Sequence, residues 1–178
     1  MEIWYILLNM RTVKIKNKLY SLRIAEDCDV SVLRKLVNVA YKELSDRGWN
    51  YTATYQDDEK TRERIKEGRA FLLIEKDEII ASILFFEKNY FTNTHSAYVG
   101  QFAVLPKLKK QGFGTFLMDY CESLAQLENY DSIQLDTAKP ALHLVNWYLR
   151  RGYKIVGETH WEGKTYDSYI FEKSLRPS

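Results

Sequence analysis

The chain has 178 residues, 46% of them hydrophobic and 28% charged, and a formal net charge of +2. That length and balance fit one soluble domain spanning residues 1–178 around a sizeable core. So small a net charge argues against a surface given over to nucleic acid, and Cys28 and Cys121, in no CxxC or zinc spacing, point to free thiols in a reducing cytoplasm and to no metal site.

Residues 1–18 are expected to form a peripheral strand or an extension. The apolar run 3–8 is too short to span a membrane. Glu2 stands where a signal peptide carries positive charge, and Met10 offers an alternative start. Residues 20–25 alternate apolar and polar side chains and predict a strand. Asp29 is placed to cap a helix whose apolar face is Leu33, Leu36, Val37, Ala40 and Leu44. A polar stretch carrying Trp49, Tyr51 and Tyr55 leads to a charged helix over 58–66 that stops at Gly68. Strand-like runs follow at 70–74, 79–86 and 97–105. A helix is expected after Gly114, with Phe113, Phe116, Leu117, Tyr120, Leu124 and Leu127 on one side. Residues 132–136 read as a short strand, Pro140 as the first residue of a helix, and 153–156 and 166–173 as a closing strand pair.

The thirteen tyrosines and eight phenylalanines suit aromatic pairs across a sheet. Hairpin signals near both ends predict a mixed, mostly antiparallel α/β sheet with helices on both faces. The unit formed by 97–105, 113–128 and 131–136 should be parallel, with a right-handed crossover.

The carboxyl end of the strand at 97–105 carries the most informative stretch, Val104-Leu105-Pro106-Lys107-Leu108-Lys109-Lys110-Gln111-Gly112-Phe113-Gly114-Thr115. Two glycines one residue apart let backbone turn tightly and approach a ligand. The helix they open presents unpaired N–H groups and the positive end of its dipole, a ready site for phosphate. The pattern is neither a Walker loop nor a dinucleotide fingerprint. Taken alone, Gly-x-Gly reads equally well as a tight loop before an ordinary helix.

In context, Lys109-Lys110-Gln111-Gly112-Phe113-Gly114 resembles motif A of the GCN5-related N-acetyltransferases, Gln/Arg-x-x-Gly-x-Gly/Ala, with lysine at the first position. Phe102-Ala103-Val104-Leu105-Pro106 looks like the family's fourth strand. Leu144 to Tyr153, with Tyr148 and Gly152, looks like its motif B. The order of elements from Tyr20 onward matches as well. The resemblance implies a central sheet of six to seven strands, about four helices, and fourth and fifth strands that splay apart.

It further implies acetyl-CoA as cosubstrate. The pyrophosphate would rest on the amides of Lys109, Lys110, Gln111, Gly112, Phe113, Gly114 and Thr115, and the pantetheine along Phe102, Ala103 and Val104. Tyr148 corresponds to the motif B tyrosine that protonates the departing thiolate, and it lies equally on its own helix's apolar face. The N–H of Val104 is the expected oxyanion donor. Gln101 stands where many relatives carry a glutamate base, which leaves Glu87, His95, Asp136 or a water. Trp49, Tyr51, Trp161 and Tyr166 are candidate walls for the acceptor, a small-molecule or peptide amine. A catalytically idle acetyl-CoA-binding domain is the alternative reading. Neither nucleic acid nor membrane is expected as a partner, and a homodimer is possible in such a family.

Overall fold

In the computed structural model, which describes residues 11–87, 91 and 95–176, the chain enters on a hairpin. β1 (Arg11–Ile15) and β2 (Lys18–Ile24) turn through Lys16 and Asn17, both left-handed with φ of 46° and 67°, the geometry a two-residue hairpin loop needs. The apolar run 3–8 and Met10 lie outside the described residues.

α1 (Val30–Asp46) follows, and buries Leu33, Leu36, Val37, Ala40 and Leu44 as the spacing predicts. The expected cap is corrected, because Asp29 makes no capping bond to this helix. Its carboxylate accepts two hydrogen bonds from Arg23, at 2.6 and 2.8 Å, and one from the Glu26 N–H at 2.8 Å. A charged fork outcompetes a helical amide for the same oxygens. α2 (Asp58–Glu67) is capped instead by Asp57, which accepts from the Lys60 N–H at 2.8 Å.

β3 (Arg69–Glu75) and β4 (Glu78–Phe86) form the next hairpin, and β5 (Ser96–Val104) adds antiparallel to β4. α3 (Phe113–Leu127) crosses over to β6 (Ser132–Ala138), which is parallel to β5. α4 (Leu142–Arg150) begins two residues after Pro140, which sits in the turn before the helix rather than at its first position. β7 (Lys154–Thr159) and β8 (Ser168–Ser174) close the sheet in the order β1-β2-β3-β4-β5-β6-β8-β7. The sheet therefore has eight strands, one more than the upper expectation, because residues 11–15 pair along β2 instead of trailing off.

Apolar side chains cover both faces. Phe71, Ile83, Phe85, Leu117, Leu135 and Phe171 pack on the side of α3 and α4, while Leu33, Val37, Leu72, Leu84 and Ala103 pack on the side of α1. Each Phe, Ile, Leu or Val side chain among them contributes about 1.5–3 kcal/mol on burial. Both cysteines are free, Cys28 exposed and Cys121 buried. Among the described residues no helix is long and apolar enough to cross a membrane.

Two irregularities of β5 position the site. Ser82 pairs with Ala103 and Leu84 with Gly100, so Gln101 and Phe102 together face Ile83 alone. That is a bulge, with Gln101 at φ 44°. The β5–β6 ladder covers only Ser96–Tyr98 against Ser132–Gln134, after which both strands run on unpaired with each other. The expected splay is present: pairing to β6 ends at Tyr98, and the bulge at Gln101 and Phe102 lies within the stretch of β5 that has left β6.

Candidate active site

The splay opens into a cavity of about 820 Å³ between β5, β6, α1, α4 and the start of α3. That volume lies in the range of small-ligand pockets. One end is the glycine turn. Gly112 takes φ 96°, a left-handed conformation in which a Cβ is strained, and stands at the N-cap of α3. The first bond closing the helix runs from the Phe116 N–H to the Gly112 carbonyl at 2.9 Å. The N–H groups of Gly112, Phe113, Gly114 and Thr115 therefore have no acceptor within the helix.

Of the residues expected to hold a cofactor, Phe102, Val104, Lys109, Lys110, Gly112, Gly114 and Thr115 line the cavity. The other three do not. Ala103 is buried on the α1 side, Phe113 is buried edge-on against Tyr20, and the Gln111 amide turns outward to the Lys107 carbonyl at 3.3 Å. Only their main chain is available to a ligand. Lys109 is held by Glu43 at 3.0 Å, and Lys107 by Glu78 at 3.0 Å.

The open edge of β5 carries donors. The Leu105 N–H bonds to Ile80 on β4 at 2.9 Å. Backbone direction alternates along a strand, so the Val104 N–H points to the opposite side, into the gap. Phe102, two residues back, and Tyr41 of α1 line the same gap. Tyr148 lines the same space, its ring stacked edge-on with Trp147 and Tyr153. Burial pushes its phenol well above the usual tyrosine value, so the hydroxyl stays protonated. Orphaned amides, the left-handed glycine and a free strand edge together fit a nucleotide diphosphate with an extended arm.

The other end of the cavity is acidic and aromatic. Asp136, two residues past the last β5–β6 pair, lines it. Its carboxylate accepts from the Tyr98 hydroxyl at 2.5 Å and from the Trp161 indole N–H at 3.0 Å. Tyr98 is raised far above its usual value, first by burial and then by Asp136, so the proton resides on the phenol. Tyr51 also lines the cavity, accepts from the Ala138 N–H at 3.0 Å, and stacks on Tyr166 with ring centroids 4.8 Å apart. Trp49 packs behind them against Ala138, Ala141 and Tyr166. Of the four expected acceptor walls, only Tyr51 faces the cavity directly; Trp161 reaches it through Asp136, and Tyr166 and Trp49 support it from behind.

The three candidate bases separate clearly. Glu87 is exposed and paired with Arg69 at 3.4 Å, and His95 stacks on Tyr130 with centroids 4.7 Å apart. Neither lines the cavity, whereas Asp136 does. Gln101 also lines it, with its amide held by Gln56, which in turn donates to Thr61 at 2.8 Å. Among the described residues no group of His, Cys, Asp and Glu is arranged to hold a metal ion.

Sequence reasoning missed Tyr41 and Tyr98. Tyr41 follows Ala40 at the edge of the apolar face of α1, a position that could have flagged it. Tyr98 meets Asp136 only because β5 and β6 lie side by side, and no local pattern signals that.

The model of the acetyltransferase (GNAT) family matches residues 33–153. A curated S-alkylcysteine N-acetyltransferase of Bacillus subtilis (strain 168) is 30% identical over 146 residues, covering 79% of this chain and 82% of that protein. Solved structures of similar fold include a GNAT-family acetyltransferase from Listeria monocytogenes 4b F2365, with TM-score 0.70 and 15% identity over 92% of this chain and 99% of that one. The ribosomal-protein-S18-alanine N-acetyltransferase from Escherichia coli matches with TM-score 0.70 and 12% identity over 89% and 96%.

Proposed function

Because the chain belongs to the acetyltransferase (GNAT) family and is an N-acyltransferase by that membership, we propose that it moves an acetyl group from acetyl-CoA directly to the primary amine of a small acceptor. The observation that carries this reading is the splay of β5 from β6. It leaves a strand edge and a helix N-terminus open onto one cavity that ends at a carboxylate.

In this reading the amides of the glycine turn bind the pyrophosphate, with Lys110 beside them. The β5 edge receives the pantetheine as an added strand would, which sets the thioester opposite Val104. An amine attacks only when neutral. Its lone pair forms the C–N bond at the thioester carbon while Asp136 takes the N–H proton, directly or through water. The Val104 N–H donates to the oxyanion, a role worth about 2.7–4 kcal/mol elsewhere. The C–S bond then breaks, and the sulfur takes the proton that burial has kept on Tyr148. Neither cysteine enters, since Cys121 is in the core and Cys28 is on the surface.

Thiol release from acetyl-CoA in the presence of a panel of amines tests the proposal. A thioether amino acid is the first acceptor to try, since the Bacillus relative is named for one. Purified protein with no affinity for coenzyme A overturns the reading. Tight binding without thiol release for any amine favours an idle cofactor-binding domain instead.

A further inference from the structure

Gln101 is a buried, non-glycine residue of the β5 bulge with a left-handed φ of 44°. Such a conformation persists only where its surroundings hold it. Here they do so through a chain of polar side chains. Thr61 on α2 donates its hydroxyl to the Asp57 carbonyl at 2.7 Å, Gln56 donates to the Thr61 oxygen at 2.8 Å, and Gln101 donates to Gln56. Gln56 and Thr61 are buried as well.

That chain has only one direction. A backbone carbonyl can only accept, so the single Thr61 hydroxyl proton goes to Asp57 and the Thr61 oxygen accepts from the Gln56 amide nitrogen. Gln56 Oε1 then faces Gln101, which must answer with its own amide nitrogen. The Gln101 carboxamide is thereby fixed with Oε1 turned away from Gln56. Among the described residues that oxygen takes no partner, and it is not one of the side-chain atoms shut off from solvent. The space it opens onto is the cavity that Gln101 lines. A glutamate at this position, the residue many relatives carry there, would set a carboxylate oxygen against Gln56 Oε1, acceptor against acceptor.

We propose that Gln101 holds the acceptor nitrogen, its Oε1 taking one N–H of the attacking amine while Asp136 takes the other. This rests on the N-acetyltransferase reading above and adds a second contact to the reacting atom. Across the splay the two groups stand nearly level. Counting on from the last β5–β6 pair, Tyr98 with Gln134, Gly100 falls opposite Asp136, and Gln101 is the next residue. The bulge also brings Gln101 to the face of Tyr98, the donor to Asp136. Tyr98 packs on the α1 side, and Gln56, whose carbonyl accepts from Asn38 of α1, meets Gln101 on that side. With one N–H on each oxygen, the lone pair of a neutral primary amine is left for the thioester carbon. Asp136 removes one proton as the C–N bond forms, and the N–H that stays in the amide product remains on Gln101. A carboxamide does not take up a proton at these pH values, so Gln101 orients the nitrogen and leaves proton removal to Asp136. Gln56 is a positioning residue that acts through Gln101.

The test is a cycle between one protein atom and one substrate atom. The primary amine turned over fastest with acetyl-CoA, S-methyl-L-cysteine being tried first, is compared with its N-methyl derivative in wild type and in Gln101→Met, which removes the carbonyl at similar volume. Gln101→Met should lower kcat/KM for the primary amine by about tenfold, the scale of one hydrogen bond. The penalty for N-methylation should be larger in wild type than in the variant by about the same factor, since crowding by the methyl group is common to both proteins and cancels. Coenzyme A affinity, measured by calorimetry, should be preserved and shows that the variant is folded. Gln56→Met frees the Gln101 amide to turn, should give a smaller loss of the same kind, and carries the comparison if Gln101→Met does not fold. An equal penalty for N-methylation in wild type and both variants overturns the role of Gln101 while the acetyltransferase reading stands. Failure of wild type to release thiol with any amine overturns both.

Discussion

A Cβ placed on Gly114 would stand 2.8 Å from the ring tip of Phe102. The first turn of α3 is therefore pressed onto a side chain of β5, at the junction where the cavity receives its glycine turn. The same ring stacks on Trp147, with centroids 5.8 Å apart, so moving it disturbs a second side chain of the cavity. Gly114→Ala must displace that ring, and overpacking of this kind costs about 1–3 kcal/mol. The expected outcome is a lower melting temperature together with a raised KM for acetyl-CoA. An unchanged KM would show that the turn tolerates the shift without moving its amides.

Tyr148 is buried and lines the cavity. Tyr148→Phe should lower kcat by about 10²–10⁴, the range for loss of an acid–base group, with coenzyme A affinity preserved. Its raised pKa adds a directional expectation. A group held above the ordinary tyrosine value near 10 stays protonated below it, so the acid is present throughout the usual assay range. Wild-type kcat should therefore show no alkaline decline from this residue below about pH 10. Steady-state kinetics across pH checks both statements, and an unchanged kcat in Tyr148→Phe removes the residue from the mechanism.

Asp136→Asn keeps the shape of the side chain and one acceptor oxygen while removing the base. The expected result is a fall in kcat/KM for the amine of about 10²-fold or more, with coenzyme A binding measured by calorimetry unchanged. Glu87→Gln and His95→Gln, at positions outside the cavity, should leave kcat/KM within a factor of about two, the behaviour of surface changes. Equal losses at all three positions would contradict the selection of Asp136.

Glu43 holds Lys109 at 3.0 Å and Arg47 at 2.8 Å, and Lys109 is the first cause of its lowered pKa. In the proposed reading, the carboxylate would compete with the cofactor phosphates for a lysine of the glycine turn. Glu43→Gln should lower the KM for acetyl-CoA by about two- to fivefold at low salt, the scale of an exposed ion pair. The gain should fade by about 0.5 M salt as screening shortens. Lys109→Ala should move the KM the other way by a similar factor. A salt-independent change would point to packing rather than charge.

Much of this was legible from sequence because it is local. The apolar face of α1 follows from a 3.6-residue period, and the glycine turn announces itself because Gly112 must adopt a left-handed φ at a helix start. The β5–β6 splay came from resemblance and not from periodicity, since where two strands stop pairing leaves no mark in the alternation of either one. What stayed hidden was tertiary. Asp136 is joined by Tyr98 from β5 and by Trp161 from the loop after β7, three segments with no sequence proximity. The loops on the acceptor side are tied together in the same way: Asn50 donates to the Gly163 carbonyl and Lys164 to Thr52, at 2.8 and 2.7 Å. Such bonds depend on the finished fold.

The failed cap at Asp29 shows the same competition and yields a stability prediction. The Arg23 fork lowers the Asp29 pKa first, and the Glu26 N–H adds to it. A carboxylate whose folded pKa is depressed contributes stability that is fully present above its ordinary value near 3.8 and is lost as pH falls through the lower folded value. Asp29→Asn removes that contribution and leaves a half-buried guanidinium short of an anion, at a cost of about 1–3 kcal/mol near pH 7. The gap between variant and wild type in urea melts should therefore be widest at neutral pH and shrink as the buffer is taken below pH 3.8. A gap that is constant from neutral to strongly acidic buffer would mean that the loss comes from packing around Asp29 and not from its charge.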